Sequence, residues 1–258
     1  MQNQFSRTQL LLGEPAMRTL ADAHVAVFGV GGVGSYVVEV LARSGVGAID
    51  IFDNDRVDVT NINRQLCALN STVGKYKVEV MAERVRDINP DCTVRARQMF
   101  YTSQNADDVD LAQYDYVADC IDTVSAKLEL IRRCHELQTP LICAMGAANK
   151  LDPTGFCVTD ISKTKMDPIA KILRKKMRKL GIFHLKVVFS EEQPLKPVAQ
   201  LAHCESSGSL NNAFDSANMS NTRPVPASNA FVPAAAGLII GGEIVKNLLH
   251  AAGTMRQA

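Results

Sequence analysis

The chain has 258 residues, with 28 Lys and Arg against 27 Asp and Glu, a net charge of +1 and 47% hydrophobic residues. That length and apolar share suffice for a sizeable core without disulfides or metal. Near-neutrality excludes attraction of polyanions by overall charge, so any nucleic-acid affinity has to come from local clustering.

The opening MQNQFSRTQLLLG has no basic segment followed by an apolar run and a small-residue cleavage site, so no secretion signal is expected. Val25–Gly29 reads as a first strand and Gly34–Ser44 as a helix burying Val37, Val38, Val40 and Leu41. Ala48–Phe52 is a second strand. Lys77–Ile88 places Val78, Met81, Val85 and Ile88 at helical spacing. Thr93–Arg97, Tyr116–Ile121 and Pro140–Ala144 read as strands, with a helix over Thr123–Leu137. This alternation predicts an α/β, Rossmann-like fold whose mostly parallel sheet is covered by helices on both faces.

After residue 150 the rhythm changes. Gly155–Ile161 and Lys186–Ser190 suggest a smaller antiparallel extension with a basic helix between its strands. Ser206–Thr222 is rich in Ser, Asn and other small polar residues and reads as a mobile crossover loop. A last helix, Ala234–His250, returns to the core. Its surroundings from Pro224 to Gly242 lack charge, but Pro224, Pro226 and Pro233 interrupt the start. Glu243 and Lys246 would fall at bilayer depth, so packing on the sheet is expected rather than a membrane span. We expect one domain over 1–258, nucleotide-binding over 1–150 and acceptor-facing over 151–258.

Seven cysteines (67, 92, 120, 134, 143, 157 and 204) are scattered, and no Cys-x-x-Cys pair exists. This argues against a four-Cys zinc site and suits buried reduced thiols in a cytoplasmic protein.

The first strand runs into Gly29-Val30-Gly31-Gly32-Val33-Gly34 and then a helix. Such glycines let backbone approach a phosphate, which the helix N-terminus attracts with free N–H groups and its dipole. Asp53, at the tip of the second strand, is placed to accept from ribose hydroxyls. The stretch from Asp53 to Gln65 is too polar for an ordinary connection, and it is followed by Gly74-Lys75-Tyr76-Lys77 at a helix start. Hydride transfer needs no Arg and Lys converging on phosphates. Cleaving ATP between its α- and β-phosphates does, because charge develops on departing pyrophosphate. Asp122, at the carboxyl edge of the sheet, suits a Mg²⁺ bridging phosphates. The plainer reading of Asp122, a cap for the next helix, stays open.

Gly-x-Gly-Gly-x-Gly, Asp53-x-Asp-x-Val-x-x-x-Asn61-x-Asn-Arg64-Gln65, Gly74-Lys-x-Lys77-Val, Ile88-Asn89-Pro90 and Cys120-Ile-Asp122, in this order, resemble the adenylating domain of ThiF, MoeB and the ubiquitin-activating enzymes. The resemblance covers about residues 5–150. It implies that Gly29, Gly31, Gly32, Gly34, Asp53, Asp55, Asn61, Arg64, Gln65 and Lys77 form the nucleotide site. Asp53 would hold the ribose, Asn61, Arg64 and Lys77 the phosphates, and Asp122 the Mg²⁺. Arg7 resembles the arginine that reaches the partner subunit's phosphates, which implies a homodimer. A monovalent cation, Na⁺ or K⁺, is a further candidate cofactor.

The helix expected over Ile169–Leu180 has an apolar stripe of Ile169, Ile172, Leu173, Met177 and Leu180. Asp167 would cap it before Pro168, and Gly181 would stop it. Lys171, Arg174, Lys175, Lys176, Arg178 and Lys179 fill the remainder. From Lys163 to Lys186 nine cations stand against one acid, Asp167, a concentration that suits a phosphate backbone.

This segment, with Val187-Val188-Phe189-Ser190 and Phe231-Val232-Pro233-Ala234-Ala235, resembles the tRNA threonylcarbamoyladenosine dehydratases, and extends the likeness over nearly the whole chain. That resemblance implies a tRNA whose modified adenosine lies beside the anticodon. ATP would adenylate the threonyl carboxylate, and an internal nucleophile would close a ring with loss of AMP. A cysteine-desulfurase or sulfur-acceptor partner is a further expectation; DNA is not. The segment Glu191–Asn221 departs from the pattern by its length and polarity. Two other classes stand beside this one. An activator of a ubiquitin-like or sulfur-carrier protein, with Cys204 as its thiol, would not need the basic helix. A nicotinamide oxidoreductase would not need Arg64.

Overall fold

The computed structural model describes residues 2–198 and 226–256. The chain starts with two helices that the sequence pattern did not predict, α1 (Ser6–Leu12) and α2 (Glu14–Asp22). There follow β1 (His24–Phe28), α3 (Gly34–Ser44), β2 (Ala48–Phe52), α4 (Lys77–Ile88) and β3 (Thr93–Arg97). The second half holds β4 (Tyr116–Asp119), α5 (Val124–Leu137), β5 (Leu141–Ala144), β6 (Phe156–Asp160), α6 (Pro168–Lys179), β7 (Lys186–Ser190) and α7 (Val232–Ala251).

The seven strands among the described residues lie in one sheet of order β3-β2-β1-β4-β5-β7-β6. Every pairing is parallel except β6 with β7. The expected antiparallel extension is therefore part of the main sheet: β7 pairs parallel with β5, and β6 alone reverses direction at the edge.

Strand alternation divides the core. Val25, Val27, Ile49 and Ile51 point to the side covered by α2, α3, α4 and α7. Ala26, Phe28, Phe52 and Val117 point to the α5 side. Cys143, Met145, Val187 and Phe189 pack with α5 and α6. Burial on both faces explains why these strands read as continuous apolar runs.

The long apolar helix α7 meets a membrane span's length and composition, yet over half of its most apolar window is buried against the protein. Its fit to α3 depends on Gly237. A Cβ there would come 2.3 Å from the Val33 carbonyl oxygen and 2.7 Å from Tyr36 Cβ. Farther along, Glu243 bonds Lys186 at 3.1 Å and Lys246 at 2.7 Å, tying α7 to β7. Burial alone would raise the Glu243 carboxyl, but hydrogen bonds from Lys246, Asn247 and Lys186 hold it down at about 2. We expect Gly237→Ala to cost about 1–3 kcal/mol through overpacking. A lower urea midpoint with an unchanged slope would show it.

Candidate active site

The chain runs outward from β1 through β2 to β3, then returns to place β4 on the other side of β1. At such a switch point the loops leaving the strand ends diverge and open a crevice. Here the crevice is a cleft of about 710 Å³. The β1–α3 turn, the end of β2, the 60–65 segment and the ends of β4 and β5 line it.

The β1–α3 turn is as tight as its glycines imply. Gly29 has φ +83°, and a Cβ on Gly34 would lie 1.8 Å from the Gly29 carbonyl oxygen. Gly31 and Gly32 line the cleft, with Gly32 wedged between Pro233 and Arg64. Asp53 supports the turn: its Oδ2 accepts from Val30 N at 2.8 Å and its Oδ1 from Asp55 N at 2.8 Å. Burial pushes the Asp53 carboxyl up, against the pull of nearby Lys77 and these two N–H groups.

The polar segment folds into a short 3₁₀ turn, Val59–Asn61, closed by a reciprocal cap. Asp58 accepts from Thr60 N at 2.8 Å, and Asn61 Oδ1 accepts from Asp58 N at 3.2 Å. That use of its oxygen leaves the Asn61 NH₂ as the donor for the cleft. Arg64 donates from Nη1 to the Thr60 carbonyl at 3.1 Å and to Asn63 Oδ1 at 2.9 Å. No carboxylate among the described residues pairs with it, and burial lowers its pKa. Lys77, buried at the start of α4, reaches Asp55 Oδ2 at 2.7 Å. Gln65 is buried beside Gly31. Asn61, Arg64, Gln65, Lys77, Asp53 and Asp55 thus share one cleft with the glycine turn.

Asp122 lies in the same cleft, with one correction: β4 ends at Asp119, so Asp122 sits in the following loop rather than at a strand tip. It is exposed and accepts from Thr123 Oγ1 at 3.3 Å. Among the described residues no three His, Cys, Asp or Glu converge as a metal cage. A divalent ion would draw the rest of its ligands from phosphates and water, as Mg²⁺ does. Arg7 is exposed on α1 and is not part of its own chain's cleft.

Two groups escaped the sequence reading. Phe28, Phe52, Met99, Phe100 and Tyr101 make the far end of the cleft apolar and aromatic, which suits a planar base. The cleft also reaches Lys127, which is 1% exposed and bonds Asp119, 0% exposed, at 3.0 Å. Lys127 also donates to the Ala144 carbonyl at 2.9 Å, joining the ends of β4 and β5. Asp119 Oδ1 in turn accepts from Ile121 N at 3.1 Å and so fixes the loop that carries Asp122.

Every described cysteine is free, and each has its thiol pKa raised by burial: Cys67 and Cys92 to about 11, Cys120 and Cys134 to about 12. Thiols so protonated are poor nucleophiles. Cys157, on β6, is exposed rather than buried. Cys204 and the Ser206–Thr222 segment lie outside the described residues.

Helix α6 begins at the cleft. Asp167 caps it through Ala170 N at 2.8 Å and also accepts from Gly146 N at 3.0 Å, while Ile169 lines the cleft. The apolar stripe differs from the expected one. Ala170, Leu173 and Met177 are buried, whereas Ile172 and Leu180 are exposed. Arg174 is also corrected, because it is half-buried and bonds the Ile161 and Thr164 carbonyls at 3.3 and 3.0 Å. Lys171, Lys175, Lys176, Arg178 and Lys179 are exposed.

The sequence profile of the ThiF family matches residues 5–257. The tRNA threonylcarbamoyladenosine dehydratase of Bacillus subtilis (strain 168) is 48% identical over 250 residues, covering 96% of each chain. The Escherichia coli (strain K12) protein of the same name is 43% identical over 211 residues, covering 78% of each. The crystal structure of E. coli tRNA N6-threonylcarbamoyladenosine dehydratase with AMP has 36% identity, a TM-score of 0.83, and coverage of 97% of this chain and 95% of that one. Its complex with ATP gives a TM-score of 0.81 at 36% identity, with the same coverage. The chain belongs to the ThiF family, among its tRNA threonylcarbamoyladenosine dehydratases.

Proposed function

We propose that this protein is an ATP-dependent dehydratase that cyclises threonylcarbamoyladenosine beside the anticodon of tRNA. The observation that carries the reading is the gathering of Asn61, Arg64 and Lys77 with the glycine turn in one cleft. Adenine would occupy the aromatic end, the ribose would hydrogen-bond Asp53, and the phosphates would run along the glycine turn towards Arg64. The threonyl carboxylate attacks the α-phosphorus, the bond to the β-phosphate oxygen breaks, and pyrophosphate leaves. Arg64, Lys77 and the Asn61 amide stabilise charge on that leaving group. The modification's own nucleophile then attacks the activated carbonyl carbon and loses its proton. AMP departs with one former carboxylate oxygen, so the net change is loss of water. None of the described thiols takes part, which fits their raised pKa values.

Mg²⁺, held by Asp122 and the phosphates, would lower the charge repulsion against the attacking carboxylate. In the homodimer, Arg7 of each chain would reach the other chain's phosphates. The exposed lysines of α6 would bind the tRNA backbone beside the cleft. Pyrophosphate exchange tests the reading: addition of threonylcarbamoylated tRNA should start exchange of label from pyrophosphate into ATP. Indifference to that tRNA would contradict it. Asp122→Asn should leave the fold intact, since the side chain is exposed, but remove about 10²-fold or more of the exchange rate.

A further inference from the structure

The seven cations between residues 163 and 179, other than Arg174, are all exposed. None lies within ion-pair distance of a carboxylate among the described residues. Helices elsewhere behave otherwise: Arg84 on α4 pairs with Glu39, and on α5 Arg132 pairs with Glu129 and Glu136. Large apolar side chains stand among these unpaired cations. Ile172 is 45% exposed, Leu180 44% and Phe183 60%. Ile172, Lys176 and Leu180 follow one another at four-residue spacing, so they share one helix face. Past the helix end, Gly181 turns at φ +74° and Ile182 N bonds the Met177 carbonyl at 3.0 Å. That bond accompanies burial of Ile182 in the core, while the next residue, Phe183, stays in solvent.

Phosphates satisfy such cations but do not cover apolar side chains. An A-form duplex presents mainly phosphates and 2′-hydroxyls, with its base faces hidden in the stack. An unpaired loop presents both phosphates and exposed base faces, and bases stack readily on aromatic side chains. Helix α6 also starts at the cleft and extends about 16 Å away from Ile169 to Leu180, at about 1.5 Å per residue. Phe183 precedes β7 at the sheet edge opposite the cleft, so a strand that leaves the cleft and follows α6 would meet this face. We infer that α6 and Phe183 form a platform for unpaired RNA nucleotides, on which Phe183, Ile172 and Leu180 cover base faces while the lysines hold the backbone. This selects a looped strand over a stem, and it rests on the reading of α6 as the tRNA surface.

The test uses the full chain, with Phe183→Ala and Phe183→Trp variants, a single-stranded RNA hairpin loop and a fully paired RNA duplex of equal nucleotide count. Phe183→Ala should weaken hairpin binding roughly 5- to 150-fold, the size of one lost base stack. Its salt dependence and its duplex affinity should stay as in wild type, and Phe183→Trp should restore hairpin binding. Equal hairpin affinity for wild type and Phe183→Ala overturns the platform, as does equal weakening of both RNAs. A change of oligomeric state in Phe183→Ala, read by sedimentation, would overturn it in favour of a protein–protein contact. Failure of wild type to bind either RNA would instead remove the underlying reading of α6.

Discussion

Arg64→Ala is expected to lower the rate of AMP formation about 10²–10³-fold, the effect of removing one donor from a site of developing charge. The reason is geometric. Nη1 of Arg64 is committed to the Thr60 carbonyl and Asn63 Oδ1, which fixes the guanidinium plane in the cleft, and the Arg64 side chain packs beside Gly32 of the glycine turn. No carboxylate among the described residues competes for it, so its remaining N–H groups are left for an anion. Burial lowers its pKa but does not bring an arginine near neutrality at physiological pH. Pyrophosphate gains charge as it leaves, so the loss should fall mainly on kcat, with ATP affinity changed less. Circular dichroism should be unaltered, because Asp58, not Arg64, caps the local turn. Single-turnover AMP release with saturating ATP and modified tRNA checks this. A normal rate would place the leaving group elsewhere.

The second large effect concerns stability. Lys127→Met should destabilise the fold by about 3–5 kcal/mol, because it strands the buried Asp119 carboxylate without its cation. Adding Asp119→Asn should recover much of that loss. The asparagine keeps an oxygen for Ile121 N and no longer buries a charge. Urea midpoints of the three proteins measure both changes. Burial alone would push the Lys127 ammonium pKa down, but Asp119 outweighs it and holds the value above 10.5. Because the folded value is raised, the contribution is fully present below 10.5 and lost as pH rises through the folded pKa. Wild-type urea midpoints should therefore show no loss from this lysine between about pH 6 and 9.

The alternating elements were legible because each strand and helix has a simple apolar period, and α3, α4, β2, β3 and β7 fall where the pattern put them. β4 read two residues too long: Cys120 and Ile121 are apolar, yet they leave the ladder to line the cleft. α1 buries no residue and so gave no stripe to read. On α6 the pattern counted every apolar residue as inward, although Ala170 takes a core position and Ile172 and Leu180 remain outside. The cleft's polar residues stood out because such a segment has no reason to interrupt an α/β rhythm. The pair beneath them was hidden by habit, since a helical lysine is normally read as solvated. Its signal was present: Lys127 lies among Ala126, Leu130 and Ile131, and Asp119 ends an apolar strand.

The most direct test of the central claim is AMP release by the purified protein with ATP and one tRNA species prepared with or without its threonylcarbamoyl group. AMP should accumulate in step with cyclised adenosine on the modified tRNA and stay at background on the unmodified one. Equal release from both, or none from either, would contradict activation of the threonyl carboxylate in this cleft.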